Sequence, residues 1–207
     1  MSHYYINDKS LKENKKTIFY ELNNIRIKLV TDSGVFSRNY VDFGSGLLLK
    51  NINKKAPKVI IDMGCGYGIL GIYLSKKYPD SKVFLYDVNE KAVELSRNNA
   101  QINEALNLRV EVSNLYDKVT KKCDLIVSNP PVRAGKQVIF DVYKGAAEHL
   151  KKTGELVIVL QKKQGALSSF KFLEEIFEEV KLLDREKGYH IISAKRAKNI
   201  DILWTIW

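Results

Sequence analysis

The 207-residue chain has only two cysteines, Cys65 and Cys123, far apart in the sequence. That excludes a small disulfide-held scaffold and reads as free thiols in a reducing compartment. Its three histidines, His3, His149 and His190, are scattered, with no metal-ligand spacing and no nucleophile beside them, so no metal site is expected. No apolar run reaches the roughly 18 residues of a membrane span. The first ten residues, M-S-H-Y-Y-I-N-D-K-S, lack the apolar stretch of a secretory signal. Together these absences point to a cytoplasmic protein. No internal repeat and no long linker is present, so one domain with a sizeable core is expected. Acidic residues are in deficit, 24 against 34 lysines and arginines, for a net charge of +10. A surplus of that size favours a polyanionic partner such as RNA, DNA or an anionic membrane, although solubility alone could also use it.

What is present alternates as in an α/β protein. Residues 59–61 (V-I-I), 83–86 (V-F-L-Y), 108–113 (L-R-V-E-V-S), 124–127 (D-L-I-V) and 155–161 (E-L-V-I-V-L-Q) suit core strands. Helical spacing fills the gaps. It covers residues 69–74; then Ala92, Val93, Ser96 and Ala100 behind the N-cap Asn89; then Val138, Ile139, Val142, Ala146 and Leu150; then Phe170, Leu173, Ile176 and Phe177. That alternation predicts a parallel sheet. Thr153-Gly154 reads as a turn, and residues 180–183 and 189–194 as a closing pair of strands. Ahead of the sheet, residues 17–20 and 25–30 around Asn23-Asn24 predict a hairpin, after a loose polar arm at 1–16. The tail N-I-D-I-L-W-T-I-W, residues 199–207, is expected to pack on its own domain or on a partner.

The chemistry concentrates in V-I-I-D-M-G-C-G-Y-G-I-L-G, residues 59–71. Gly64, Gly66 and Gly68 follow a strand and precede a helix. They let the backbone turn sharply and let a ligand approach the main chain, at the strand end where open α/β sheets bind ligands. Gly66-x-Gly68-x-x-Gly71, with Asp87 downstream, also fits a dinucleotide fingerprint. The glycines alone therefore leave a nicotinamide cofactor or another adenosine cofactor open. Asp62 favours the second, because a carboxylate at the strand end repels a pyrophosphate and attracts a cation. Ser128-Asn129-Pro130-Pro131 follows a later strand.

With D-M-G-C-G-Y-G and N-P-P the chain resembles the class I S-adenosylmethionine-dependent methyltransferases, in their amino-group-modifying branch. Residues 33–49, S-G-V-F-S-R-N-Y-V-D-F-G-S-G-L-L-L, and the run N-P-P-V-R-A-G-K resemble the small-domain enzymes that modify guanine N2 in small-subunit ribosomal RNA. The resemblance spans about residues 35–192. It implies an α/β, Rossmann-like, doubly wound fold: a mostly parallel seven-stranded sheet with a terminal antiparallel strand, plus a small N-terminal hairpin extension. Residues 1–56 would form the arm, hairpin and cofactor-covering segment, and 57–207 the methyltransferase core, in one compact unit.

The resemblance also implies roles. Gly64, Cys65, Gly66 and Gly68 would lie along the methionine end of S-adenosylmethionine, with Asp62 meeting its ammonium directly or through water. Asp87, followed by Val88, would accept from both ribose hydroxyls. Asn114 would meet the adenine edge and Leu115 its face. An exocyclic amine has its lone pair delocalised into the base, so it needs acceptors aimed at its two hydrogens. The side-chain oxygen of Asn129 and the main-chain oxygen of Pro130 can serve, with Pro130 and Pro131 stiffening the turn. Val132 departs from the aromatic residue that adenine and glutamine modifiers carry there. The base would have to be unpaired or flipped, and Val132, Arg133, Lys136, Lys162, Lys163 and Arg38 would contact RNA. The expected partner is ribosomal RNA or the small ribosomal subunit, with no membrane, no metal and a monomer by default. The alternatives are methylation of adenine N6 or protein glutamine, an adenosine-cofactor oxidoreductase, or a catalytically silent RNA-binding module.

Overall fold

The computed structural model describes residues 13–198; the arm's residues 1–12 and the tail 199–207 lie outside them. Asn23 and Asn24 both adopt positive φ, 50° and 62°, as a two-residue hairpin turn requires. They join β1 (Lys16–Leu22) to β2 (Ile25–Thr31), antiparallel from Lys16 opposite Thr31 to Leu22 opposite Ile25. Helix α1 (Phe43–Asn51) follows, its N-terminus capped by the Asp42 side chain, which accepts from Ser45 N at 3.1 Å.

The main sheet is built from β3 (Val59–Met63), β4 (Lys82–Asp87), β5 (Leu108–Val112), β6 (Cys123–Ser128), β7 (Leu150–Gln161), β8 (Phe177–Glu186) and β9 (Tyr189–Ala197). Its seven strands run in the order β5-β4-β3-β6-β7-β9-β8. The first five are parallel, and β9 is antiparallel to both its neighbours. The helices are α2 (Ile69–Lys77), α3 (Glu90–Ile102), α4 (Lys136–His149) and α5 (Ala166–Ile176). Alternate residues of each central strand feed opposite faces. Ile60, Leu125, Val127, Val157 and Val159 pack with α1, α2, α3 and the hairpin. Ile61, Ile126, Leu156, Ile158 and Leu160 pack with α4 and α5. The doubly wound Rossmann-like architecture, its antiparallel strand and the N-terminal hairpin are as the sequence implies.

Two local expectations change. Thr153-Gly154 lies inside β7, which starts at Leu150; the register with β6 shifts between Cys123 and Leu125, so a bulge absorbs the turn-forming pair. Phe177 does not end α5. It is extended (φ -123°, ψ 149°), opens β8 and is buried in the α4–α5 cluster. A side chain pointing inward at a helix end and at a strand start gives the same apolar pattern.

The hairpin is held by two asparagines, Asn99 on the buried face of α3 and Asn103, which caps its C-terminus. Asn99 Oδ1 accepts from Val30 N at 2.7 Å, and its Nδ2 donates to Val30 O and to Tyr67 O, both at 2.9 Å. One turn on, Asn103 repeats the motif on Lys28, accepting from its N at 3.0 Å and donating to its O at 2.7 Å. Spaced four apart on one helix face, the two amides match the two-residue repeat of β2. Replacing Asn99 with Ala would strand three buried main-chain groups. We expect a loss of about 2–3 kcal/mol, or roughly 5–10 °C in melting temperature for a domain of this size, read by urea and thermal unfolding. An unchanged midpoint would show that the clasp is not holding the hairpin.

Candidate active site

β3 has β4 on one side and β6 on the other. The chain leaves β3 for α2 on one face and β6 for α4 on the opposite face. The loops at these two strand ends therefore diverge, which opens the crevice where such sheets take ligands. Ser128 Oγ donates to Met63 O at 2.7 Å and ties the two strand ends together. A methyl built on Gly64 would come to 3.9 Å from Pro131 Cδ, so the glycine loop and the prolyl turn face each other. Between them is a cavity of about 530 Å³.

The loop is braced by its neighbours. The N–H groups of Gly64 and Cys65 both donate to Tyr86 O, at 2.8 and 3.0 Å. Gly68 sits at φ 94° as the N-cap of α2, where a Cβ would meet Ser96 Oγ at 2.8 Å; only glycine suits both constraints. That same Ser96 hydroxyl donates to Gly66 O at 2.8 Å. Asp87 accepts from Gly66 N at 2.8 Å and Asn89 N at 2.9 Å. Burial pushes its carboxyl up, against the opposing pull of the N–H groups of Asn89, Gly66 and Val88. Asp62 is fully buried beneath the loop. Its Oδ2 accepts from Gly71 N at 2.9 Å, while its Oδ1 has no partner among the described residues. Burial first, then the nearby Asp87, pushes Asp62 up to about 7, against the pull of the Gly71 N–H.

The opposite wall comes from residues distant in sequence. Asn129 Nδ2 donates to Asp42 Oδ2 at 3.2 Å and to Ser45 Oγ at 3.0 Å. Tyr189, from the start of β9, donates its hydroxyl to Asp42 Oδ1 at 3.2 Å. Its ring lies 5.6 Å from that of Phe43, and a Cβ on Gly44 would collide with it at 2.7 Å. D-F-G-S thus has a physical reading: a helix cap, a ring contact, clearance for Tyr189 and a hydroxyl for Asn129. Val35 and Phe36, from the G-V-F-S stretch, also line the cavity.

Of the residues singled out from sequence, Gly64, Cys65, Gly66, Asp87 and Val88 line this one cavity. So do Asn114, Leu115, Asn129, Pro130, Pro131 and Val132. Asp62 and Gly68 stand behind its wall. Arg133, Lys136, Lys162, Lys163 and Arg38 are not in the lining. Arg133 lies in the short turn Val132–Ala134, Lys136 begins α4, and Lys162 and Lys163 lie in the turn Lys162–Gln164 after β7. All four therefore sit near the carboxyl edge of the sheet. Arg38 is turned to the arm, donating to Asn14 O from Nε at 3.0 Å and Nη2 at 2.8 Å. Asp42 and Ser45 lie within the 33–49 run, but no local pattern singles out Asp42, Ser45 or Tyr189.

Among the described residues, the lining contains Asp42 and Asp87 but no lysine, arginine or histidine, in a chain of net charge +10. A cavity so composed favours a cationic ligand and disfavours a pyrophosphate.

The methyltransferase small domain model matches residues 26–193. The chain belongs to that family, whose methyl donor is S-adenosylmethionine. It is 45% identical to the uncharacterized protein YbxB of Bacillus subtilis (strain 168), over 94% of this chain and 98% of that one. It is 36% identical to ribosomal RNA small subunit methyltransferase C of Salmonella typhi, over 86% of this chain and 53% of the relative. The chain thus spans about half the length of such ribosomal RNA enzymes. Among solved structures it superposes with a TM-score of 0.77, at 22% identity, on the T. thermophilus 16S rRNA N2 G1207 methyltransferase in complex with AdoMet and guanosine. That match covers 88% of this chain and 50% of the other.

S-adenosylmethionine carries two cationic centres, a sulfonium and an ammonium, and the acidic lining with the unpartnered Asp62 oxygen fits such a group. Because the carboxyl of Asp62 is raised in the folded chain, its contribution to stability is fullest in the ordinary carboxylate range and is lost as pH rises through about 7. A cation nearby reverses that preference, so binding should expel a proton near pH 6 and strengthen as pH rises to about 7.5. Titration calorimetry in two buffers of different ionisation enthalpy reads the proton count. In Asp62→Asn the proton release should vanish, and the cofactor-free protein at about pH 8 should melt a few degrees higher. Binding by the native protein without proton release would separate Asp62 from the cation.

Proposed function

We propose that the chain transfers a methyl group from S-adenosylmethionine to an exocyclic amine of RNA, with guanine N2 of small-subunit ribosomal RNA as its target. The observation that carries this reading is the placement of Asn129 and Pro130 on the same cavity as the glycine loop. S-adenosylmethionine supplies an activated methyl group on a neutral leaving group, so the protein's work is positioning and exclusion of water. The glycine loop would hold the methionine end, and Asp62 would balance its ammonium. Asp87 would take the ribose diol, and Asn114 and Leu115 would frame the adenine. Asn129 Oδ1 and the Pro130 carbonyl would accept the two amine hydrogens and turn the nitrogen's lone pair toward the methyl group. Val132 N donates to Pro130 O at 2.9 Å, which fixes the direction of that carbonyl and leaves it one lone pair. As the N–C bond forms, the surplus proton leaves the nitrogen for solvent.

Several features support RNA as substrate. The net positive charge lies outside the cavity, with Arg133, Lys136, Lys162 and Lys163 at the sheet edge where a polyanion would approach. The Salmonella typhi relative, named for ribosomal RNA methylation, is 36% identical to this chain over the matched region. Val132 is aliphatic where adenine and glutamine modifiers place an aromatic side chain. The acidic lining argues against an oxidoreductase, since the carboxylates of Asp42 and Asp87 would repel a pyrophosphate.

The decisive experiment supplies labelled S-adenosylmethionine with naked small-subunit ribosomal RNA and with assembled subunits, followed by nucleoside analysis. N2-methylguanosine is expected. Asn129→Ala should lower kcat by about 10²–10³, while its Kd for S-adenosylmethionine stays within about threefold of native, since only the acceptor side is removed. N6-methyladenosine as product would overturn the guanine assignment. RNA binding with no transfer under any condition would leave a silent module.

A further inference from the structure

An asparagine amide has two faces that are nearly identical in shape and opposite in chemistry. If Asn129 is to accept a hydrogen from an amine, something has to decide which end faces the cavity. Its nitrogen has two hydrogens, and both are used: one on Asp42 Oδ2 at 3.2 Å, the other on Ser45 Oγ at 3.0 Å. The serine hydroxyl does not make the choice, since it donates or accepts equally well. The carboxylate does, because it only accepts. A flipped amide would set its oxygen against the carboxylate oxygen with no hydrogen between them.

Asp42 is itself held from two directions. Its Oδ2 also accepts from Ser45 N at 3.1 Å, in the positive field of the α1 N-terminus. Its Oδ1 takes the Tyr189 hydroxyl at 3.2 Å. Tyr189 reaches it only because residue 44 is glycine. Thus α1, β9 and the turn after β6, which are 87 and 147 residues apart along the chain at these contacts, converge on one carboxylate. Asp42, Ser45, Asn129 and Tyr189 all line the cavity.

We propose that Asp42 is a positioning residue. Its carboxylate sets the amide of Asn129 with the nitrogen against α1, which leaves the oxygen as the amide's acceptor for the substrate amine. Ser45 and Tyr189 hold the carboxylate and the amide in that arrangement. The inference rests on the amine-substrate reading above for its catalytic meaning, and on the hydrogen bonds alone for its structural meaning.

Asp42→Asn tests it. Asparagine caps a helix as well as aspartate, so α1 should start as before and the fold should persist. The new amide can donate to either end of Asn129, so the discrimination is lost. In the cofactor-free protein, the side-chain NH₂ resonances of Asn129, assigned by their absence in Asn129→Ala, should shift or broaden in Asp42→Asn. A merely structural role for Asp42 would leave them in place. In methyl transfer, kcat should fall about ten- to a hundredfold, with the KM for RNA and the Kd for S-adenosylmethionine within about threefold of native. Introduced into Asn129→Ala, the same change should cost less than about twofold, since the group it positions is gone. Unmoved resonances, or an equal loss of kcat in both backgrounds, would overturn the proposal. If the native protein methylates no RNA amine, the substrate reading falls, while the resonances still decide whether Asp42 orients Asn129.

Discussion

The cavity depends on a clasp made far from its chemistry. Asn99 bonds with one side-chain amide to Val30 in the hairpin and to Tyr67 in the glycine loop. Each bond satisfies a main-chain group that would otherwise be buried without a partner, at a cost of about 1–3 kcal/mol. Through it the N-terminal segment becomes part of the core: Ile18, Ile27 and Leu29 share one apolar cluster with α2, α3 and the sheet. With β2 so fixed, the chain from Thr31 to Asp42 starts and ends at defined points. Thr31 Oγ1 donates to Arg38 O at 2.7 Å, and Asp42 is bound into α1. Val35 and Phe36 then close one side of the cavity, and Asp42 reaches Asn129. A Rossmann-like sheet alone would supply the glycine loop and the prolyl turn, but not the side that Val35, Phe36, Asp42 and Ser45 close.

Charge is divided along the same lines. A chain of net +10 would ordinarily spread positive potential over any hollow in its surface. Here the lining has two carboxylates, a third lies beneath it, and the basic residues of the turns stay outside. For the proposed function, this separation would let one small domain face two ligands of opposite charge, a cation within and a polyanion at the rim. It would also order them, because a nucleic-acid backbone drawn to the rim would be repelled from the acidic interior, which an uncharged base could still enter.

The parts of the site that the sequence disclosed are those encoded by neighbours. Asp62 to Gly68 and Asn129 to Pro131 are each contiguous, so backbone demands and functional groups fall within one short run, and strand ends place both runs on the same edge. Asp87 and Asn114 follow because they too terminate strands. The Asp42–Asn129–Tyr189 convergence was not legible, because no periodicity links positions 87 and 147 residues apart. Asn99 did carry a signal, lying three residues beyond Ser96 on the buried stripe of α3, where a polar side chain has to find a partner. Thr153-Gly154 misled because the pair sits in the register slip between the Cys123–Leu150 and Leu125–Glu155 pairings, where an irregularity within one continuous strand uses the same turn-forming residues. Phe177 misled because helix and strand share an inward-pointing position at their junction.

Asp62 is where folding and function diverge most. A carboxylate with no solvent exposure, one oxygen bonded and the other without a partner among the described residues, is an arrangement that stability alone would remove. Burial raises its pKa, so near neutral pH the folded chain holds either a proton that an ordinary carboxylate would have shed or a buried charge. The first turn of α2 offers it the N–H of Gly71, where a carboxylate can accept several. The deficit matches the needs of a ligand that brings its own positive charge, since the carboxylate's unmet demand becomes binding free energy only once that ligand arrives. Local rules of folding are broken here and kept around it, which is the pattern expected of a site shaped by what it binds.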